Sequence, residues 1–250
     1  MRIELLCVVA LWEWLCRREE EDFEDSLQLR FILFSLAFQL NRLAGRNMSR
    51  EFCPARPLFG GAISSHFPQR FEDVSNIRQV PDHQEVFVDP SRDESLIIEL
   101  LDFKSEVGDD GSASWFLHDL AREQDAEGFK LIEQSEVIEA PGLTFRNIPA
   151  VVTTATGEMA ISKGRQGREA QNLVRVYVAN LRLKGVETDA LVTAYEPILI
   201  NPLSESAEAV GSGLAVPASQ SGNMPMCDVI KQSLSTFKVN DWSLFGSPAC

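Results

Sequence analysis

Asp82 and Glu85 are three positions apart in Val80-Pro81-Asp82-His83-Gln84-Glu85-Val86, and they are the residues whose type and spacing best suit a chemical role. Pro81 has a fixed φ and disfavours helix at Val80, so both carboxylates fall in a turn-to-strand segment where they can project together. Such a pair fits Lys or Arg on a partner. The spacing alone is equally met if Asp82 caps the turn and Glu85 faces water. His83 reads as solvated, because no positioned nucleophile accompanies it. Charge distribution favours the recognition reading: residues 71–140 hold 19 acidic against 5 basic side chains, which equals the whole net charge of −14. A surface of that sign opposes nucleic acid and anionic membranes, both of which need their phosphates neutralised.

Motifs for catalysis are missing from the sequence. There is no GxSxG elbow, HExxH, GxGxxG or CxxC. Gly60-Gly61 precedes Ala-Ile-Ser-Ser rather than the GK[ST] of a phosphate loop, and Gly164-Arg165-Gln166-Gly167 lies between two predicted strands, as a hairpin turn would. His66, His83 and His118 lack metal-ligand spacing, so neither a metal nor a cofactor is expected. A hydrolase with scattered catalytic residues is the remaining enzymatic class. Cys7, Cys16, Cys53, Cys227 and Cys250 are odd in number and irregularly spaced, which points to a reducing compartment.

Elements that would position Asp82 and Glu85 start at Pro57. Residues 58–63 read as a first strand in which two glycines permit a bulge. Residues 73–76 suggest a turn, and 85–88 a second strand closed by Pro90. Ser91-Arg92-Asp93-Glu94 fits a capping box opening a helix, with Leu96, Ile97, Leu100 and Leu101 as its apolar stripe. Residues 114–123 predict another helix anchored by Trp115, Leu117 and Leu120. Residues 131–139 alternate as a strand that Pro141-Gly142 would end. The runs 150–163, 172–184 and 189–197 have short glycine-containing connections and predict an antiparallel meander; Val174, Val176 and Val178 share one face of the second. Residues 200–225, rich in Ser, Ala, Gly and Pro, read as a mobile loop. Residues 226–237 predict a last helix with Val229, Ile230, Leu234 and Phe237 inward, and the tail around Trp242 and Phe245 is expected to dock. This order gives a mixed α/β (α+β) chain with a largely antiparallel sheet covered by helices. Leu58, Phe59 and Phe87 are expected in its core.

Residues 1–47 read as an N-terminal extension and 48–250 as the domain. The apolar runs 5–15 and 31–40 are too short to cross a bilayer and are separated by the acidic residues 19–25, a poor match to a secretory or transit peptide. Met48-Ser49 would serve as a start just before the stronger pattern, which leaves the expression of 1–47 open; a signal anchor is the alternative.

Four strings, Pro57-Leu-Phe-Gly-Gly-Ala-Ile63, Asp73-Val-Ser-Asn-Ile-Arg78, Val80-Pro-Asp-His-Gln-Glu-Val86 and Ser95-Leu-Ile-Ile-Glu-Leu-Leu101, occur in the order seen in the Ran guanine nucleotide release factor (Mog) family, which this chain resembles. Thr188-Asp-Ala-Leu-Val192 and Ser243-Leu-Phe-Gly246 extend the likeness to residue 246. The resemblance implies a fold like that of PsbP, with an antiparallel sheet between helices. It also implies binding to the small GTPase Ran, release of its guanine nucleotide, and support of nuclear protein import, in nucleus and cytoplasm. The family's acidic pair carries over onto Asp82 and Glu85 as Ran-binding residues; His83 receives no role. A Ran-binding protein is a further candidate partner, and a monomer is expected. A PsbP-like structural subunit of a photosynthetic complex is the alternative, disfavoured by the acidic N-terminus.

Overall fold

The computed structural model describes residues 51–75, 80–162 and 166–246. The readings made for residues 1–47, for Cys7, Cys16 and Cys250, and for the Gly164-Arg165 half of the predicted turn lie outside the described residues.

The chain opens with a hairpin, β1 (Ala55–Leu58) and β2 (Ile63–His66), in place of one bulged strand. Phe59, Gly60 and Gly61 all take positive φ, at 49°, 64° and 91°, and the two glycines carry this left-handed turn without a Cβ penalty. There follow β3 (Glu72–Asp73), β4 (Gln84–Asp89) and β5 (Glu94–Asp102). The predicted helix at 91–101 is therefore a strand. Ser91 does not cap a helix: its N–H and hydroxyl both go to the Asp89 carboxylate in the β4–β5 turn, and Asp93 completes that turn at φ 58°. Leu96, Ile98 and Leu100 line one face of β5 and Ile97 and Leu101 the other, since both faces are covered. A strand apolar on both sides reads as a continuous run, from which a helical stripe can be picked as easily as an alternation.

Helix α1 (Ser112–Glu123) forms as expected, with Ala113, Phe116, Leu117 and Ala121 inward. Next, β6 (Glu127–Gln134) and β7 (Ile138–Phe145) replace the single strand at 131–139. Residues 141–142 do not end β7; they sit where its ladder with the next strand shifts register. The meander is borne out as β8 (Ile148–Ile161), β9 (Asn172–Leu183) and β10 (Thr188–Ile200). Residues 200–225, expected to be mobile, contain α2 (Glu205–Val210), capped by the Ser204 hydroxyl, and β11 (Gly213–Leu214). The last helix is α3 (Met226–Ser235), then β12 (Lys238–Val239), and Trp242 and Phe245 pack on the core as the tail was expected to do.

Every pairing is antiparallel. The large sheet runs β3-β4-β5-β10-β9-β8-β6, with β7 also on β8 and β11 on β10; β1, β2 and β12 form a small sheet. Alternation along β9 splits the interior in two. Val174, Val176 and Val178 pack under α1, while Ala179, Leu181 and Leu183 face the core shared with α3 and the small sheet. Each buried valine contributes about 1.5–3 kcal/mol. The helices thus lie on opposite faces of the sheet, an α+β arrangement. Arg182, only 1% exposed, closes the α1 side: it reaches Asp189 at 3.0 Å, Asp109 at 3.1 Å and the carbonyls of Lys104 and Val107, and so pins the 103–111 loop to the sheet.

Candidate functional site

The acidic motif occupies the corner where β4 begins, at the β3 edge of the large sheet. Pro81 sets up a turn closed by a hydrogen bond from the Gln84 N–H to the Pro81 carbonyl (2.9 Å). β3 is tied alongside: the Val74 N–H donates to the Val86 carbonyl (3.0 Å), the Val86 N–H to the Ser75 hydroxyl (3.1 Å), and the Ser75 N–H to the Asp73 carboxylate (2.9 Å).

Strand alternation then separates the two predicted residues. Asp82 stands in the turn, exposed to solvent. Glu85 is opposite Ile98 in the ladder, on the same face as Phe87, and points beneath the β1–β2 turn, where its Oε1 accepts the Phe59 N–H at 2.6 Å. That N–H would otherwise lack a partner in the left-handed turn. Burial pushes the Glu85 carboxyl above its ordinary value, the Phe59 N–H opposes this, and the neighbouring Asp73 charge adds to it. Neither simple reading of Glu85 is complete, since it is a structural acceptor within an acidic corner. The charge felt at Glu85 is that of Asp73, which with Glu72 is exposed at the rim and which sequence reasoning took only as part of a turn.

His83 and Gln84 face Glu99, each 3.5 Å from its Oε1. Burial raises the Glu99 carboxyl and the His83 charge counters it, so His83 is exposed yet has a partner. Leu58 and Phe87 are buried, and Phe59 is half-buried against the same core, as expected.

A cavity of about 640 Å³ lies elsewhere, on the α1 face of the sheet past the end of that helix, lined by Ile97, Glu123, Asp125, Val174, Tyr195 and Pro197. Its Tyr195 hydroxyl accepts from the Gln124 amide at 2.8 Å. Neither Asp82 nor Glu85 reaches it. Among the described residues, no three His, Cys, Asp or Glu side chains are grouped to hold a metal, and no helix is long and apolar enough to cross a membrane.

A family model described as Ran-interacting Mog1 protein matches residues 56–197. The chain is 37% identical over 165 residues to the Ran guanine nucleotide release factor of Danio rerio, covering 65% of this chain and 87% of that protein. It is 33% identical over 201 residues to the probable ran guanine nucleotide release factor of Dictyostelium discoideum, covering 79% and 98%. The nuclear import protein mog1 of Schizosaccharomyces pombe is 32% identical over 144 residues, covering 56% and 75%. Among solved structures, the Saccharomyces cerevisiae Ran-binding protein Mog1p superposes with a TM-score of 0.53 at 20% identity, covering 78% of this chain and all of that one, a likeness of fold. With the matched segment spanning the acidic corner and most of the large sheet, the chain belongs to the Ran-interacting Mog1 family.

Proposed function

We propose that this protein binds the small GTPase Ran, promotes release of its guanine nucleotide and supports nuclear protein import, acting in nucleus and cytoplasm, with the acidic corner as its contact surface. Relatives at 30–37% identity bear the name Ran guanine nucleotide release factor, and none of those compared lends support to a photosynthetic subunit. One observation carries the choice of surface: Asp82 is exposed in the turn leading into β4, and Asp73, exposed on the neighbouring strand, is the charge felt by the half-buried Glu85, which makes this edge a negative site for Lys or Arg of the GTPase.

Binding alone releases nothing. The protein promotes release to the extent that it holds emptied Ran more tightly than loaded Ran. A 100-fold preference corresponds to ~2.7 kcal/mol, within reach of one or two desolvated charge pairs. Asp82 supplies the accessible charge; Glu85 supplies negative potential and fixes the β1–β2 turn beside it.

The test is labelled-nucleotide release from Ran with the wild type, Asp82→Lys and Glu85→Gln. Asp82→Lys is expected to slow release at least tenfold with an unchanged unfolding curve, because the side chain is exposed and makes no hydrogen bond or ion pair among the described residues. Glu85→Gln retains an oxygen for Phe59 and isolates the charge. Full activity of Asp82→Lys would remove the corner from the mechanism.

A further inference from the structure

At the opposite end of the large sheet, β6 and β7 run one after the other along the same side of β8. Residues 127–145 thus make a long outer strand interrupted near Ser135, whose N–H and hydroxyl still bond Thr154. Arg146 and Asn147, at φ 48° and 66°, form a two-residue turn of the primed type that sets the register with β8. Among the described residues, nothing pairs with the outer side of β6. Exposed edges are normally shortened, covered or studded with lysine, because their free N–H and C=O groups pair with other chains. This one is long and apolar. Leu131 is 37% exposed, Ile132 46%, Val137 38%, Ile138 59% and the adjoining Ile148 45%. Charge on the strand is one-sided as well, with Glu127, Glu133, Glu136 and Glu139 against Lys130.

We propose that this edge is a second docking site, which receives an extended segment of a protein partner as an added strand. Backbone bonds to β6 supply the pairing, branched apolar side chains cover Ile132 and Ile138, and basic residues meet the four glutamates. The negative charge argues against a second copy of this chain, whose edge would bring four more glutamates. β3 and β6 close opposite ends of the sheet order, so the site leaves the acidic corner free and stands independently of the role proposed for it.

The test uses the full chain and a ten-residue peptide of alternating lysine and valine, with a control of the same charge N-methylated at four consecutive central residues. Binding is read by fluorescence polarisation and located by amide hydrogen exchange. The peptide is expected to protect residues 127–134. N-methylation, or the double substitution Ile132→Lys with Ile138→Lys, should weaken binding at least tenfold, and Asp82→Lys less than twofold. Four outcomes would overturn the proposal: no binding, equal binding of the N-methylated control, an equal loss with Asp82→Lys, or sedimentation showing a homodimer closed through this edge.

Discussion

The β3–β4 edge of the large sheet is anchored by buried ion pairs, and the β6–β7 edge by inward packing of Phe129, Leu143 and Phe145 and by an exposed ion pair, Glu127 with Arg168. Behind β4, Arg70 reaches Glu51 at 2.7 Å, Asp89 at 2.9 Å and Glu94 at 2.8 Å, with its guanidinium over the Phe71 ring; Arg92 adds a second bond to Glu94. Glu85 ties β4 to the β1–β2 turn and Ser75 ties β3 to β4. Beyond β8, by contrast, β6 is exposed along most of its length. Both edges are acidic, yet the charge is mounted differently. At the corner it is set on a rigid mount, as selective recognition of one conformation of a partner requires. On the outer strand it lies along β6, outside which no strand pairs among the described residues, an arrangement that suits a partner that takes up its own shape on binding.

The largest expected effect breaks the rigid mount. Arg70→Met leaves the almost fully buried Asp89 without its cation and Glu94 with Arg92 alone, and the uncompensated charge at Asp89 should cost about 3–5 kcal/mol in urea unfolding. Ile132→Lys with Ile138→Lys, on the other edge, should move the midpoint far less, since those side chains are already about half exposed. Equal loss in both would mean that the edges are fastened alike.

A smaller effect loosens the attachment of β6 to β8. A Cβ added at Gly157 would stand 3.1 Å from the Lys130 carbonyl, from Phe129 and from Leu117, so it must push β6 or α1 away from β8. Gly157→Ala should destabilise by about 1–3 kcal/mol and speed amide exchange in residues 127–134 ahead of residues 84–89. Uniform acceleration would show that β6 is an integral part of the sheet.

Smaller still is the truncation of the corner's half-buried acceptor. Glu85→Ala strands the Phe59 N–H and should cost about 1 kcal/mol, whereas Glu85→Gln should cost much less. Matching stabilities would mean that water replaces the carboxylate and that the turn holds itself.

These contrasts also mark what the sequence discloses. The meander is legible because β9 alternates cleanly and its connections are short. Strand β5 is not, because both of its faces are buried and Ser91-x-x-Glu94 imitates a cap. Glu94 is in fact the acceptor for Arg70 and Arg92, the former 24 residues away. Asp82 and Glu85 are legible as a pair through Pro81. That Glu85 turns inward is not, since its partner Phe59 is 26 residues away and only the fold brings them together. The outer strand reads as a single alternating segment from 131 to 139, and nothing local shows that no further strand of the described residues lies outside it.

The least effect expected is a pH dependence that again separates the corner from the rest. Burial raises the Glu85 carboxyl above its ordinary 4.5, so the folded chain binds that proton more tightly than the unfolded chain. The associated stabilisation is fully present below the unfolded value and is lost as pH rises through the higher, folded one. Glu85→Gln has no such proton to lose, so its Tm relative to the wild type should climb as pH rises through the window just above 4.5. Glu99, the other raised carboxyl, is on the opposite face and common to both proteins, so it cancels in the difference. A flat difference would mean that the Phe59 N–H fully offsets burial, and a falling one that the carboxylate is held mainly as an anion.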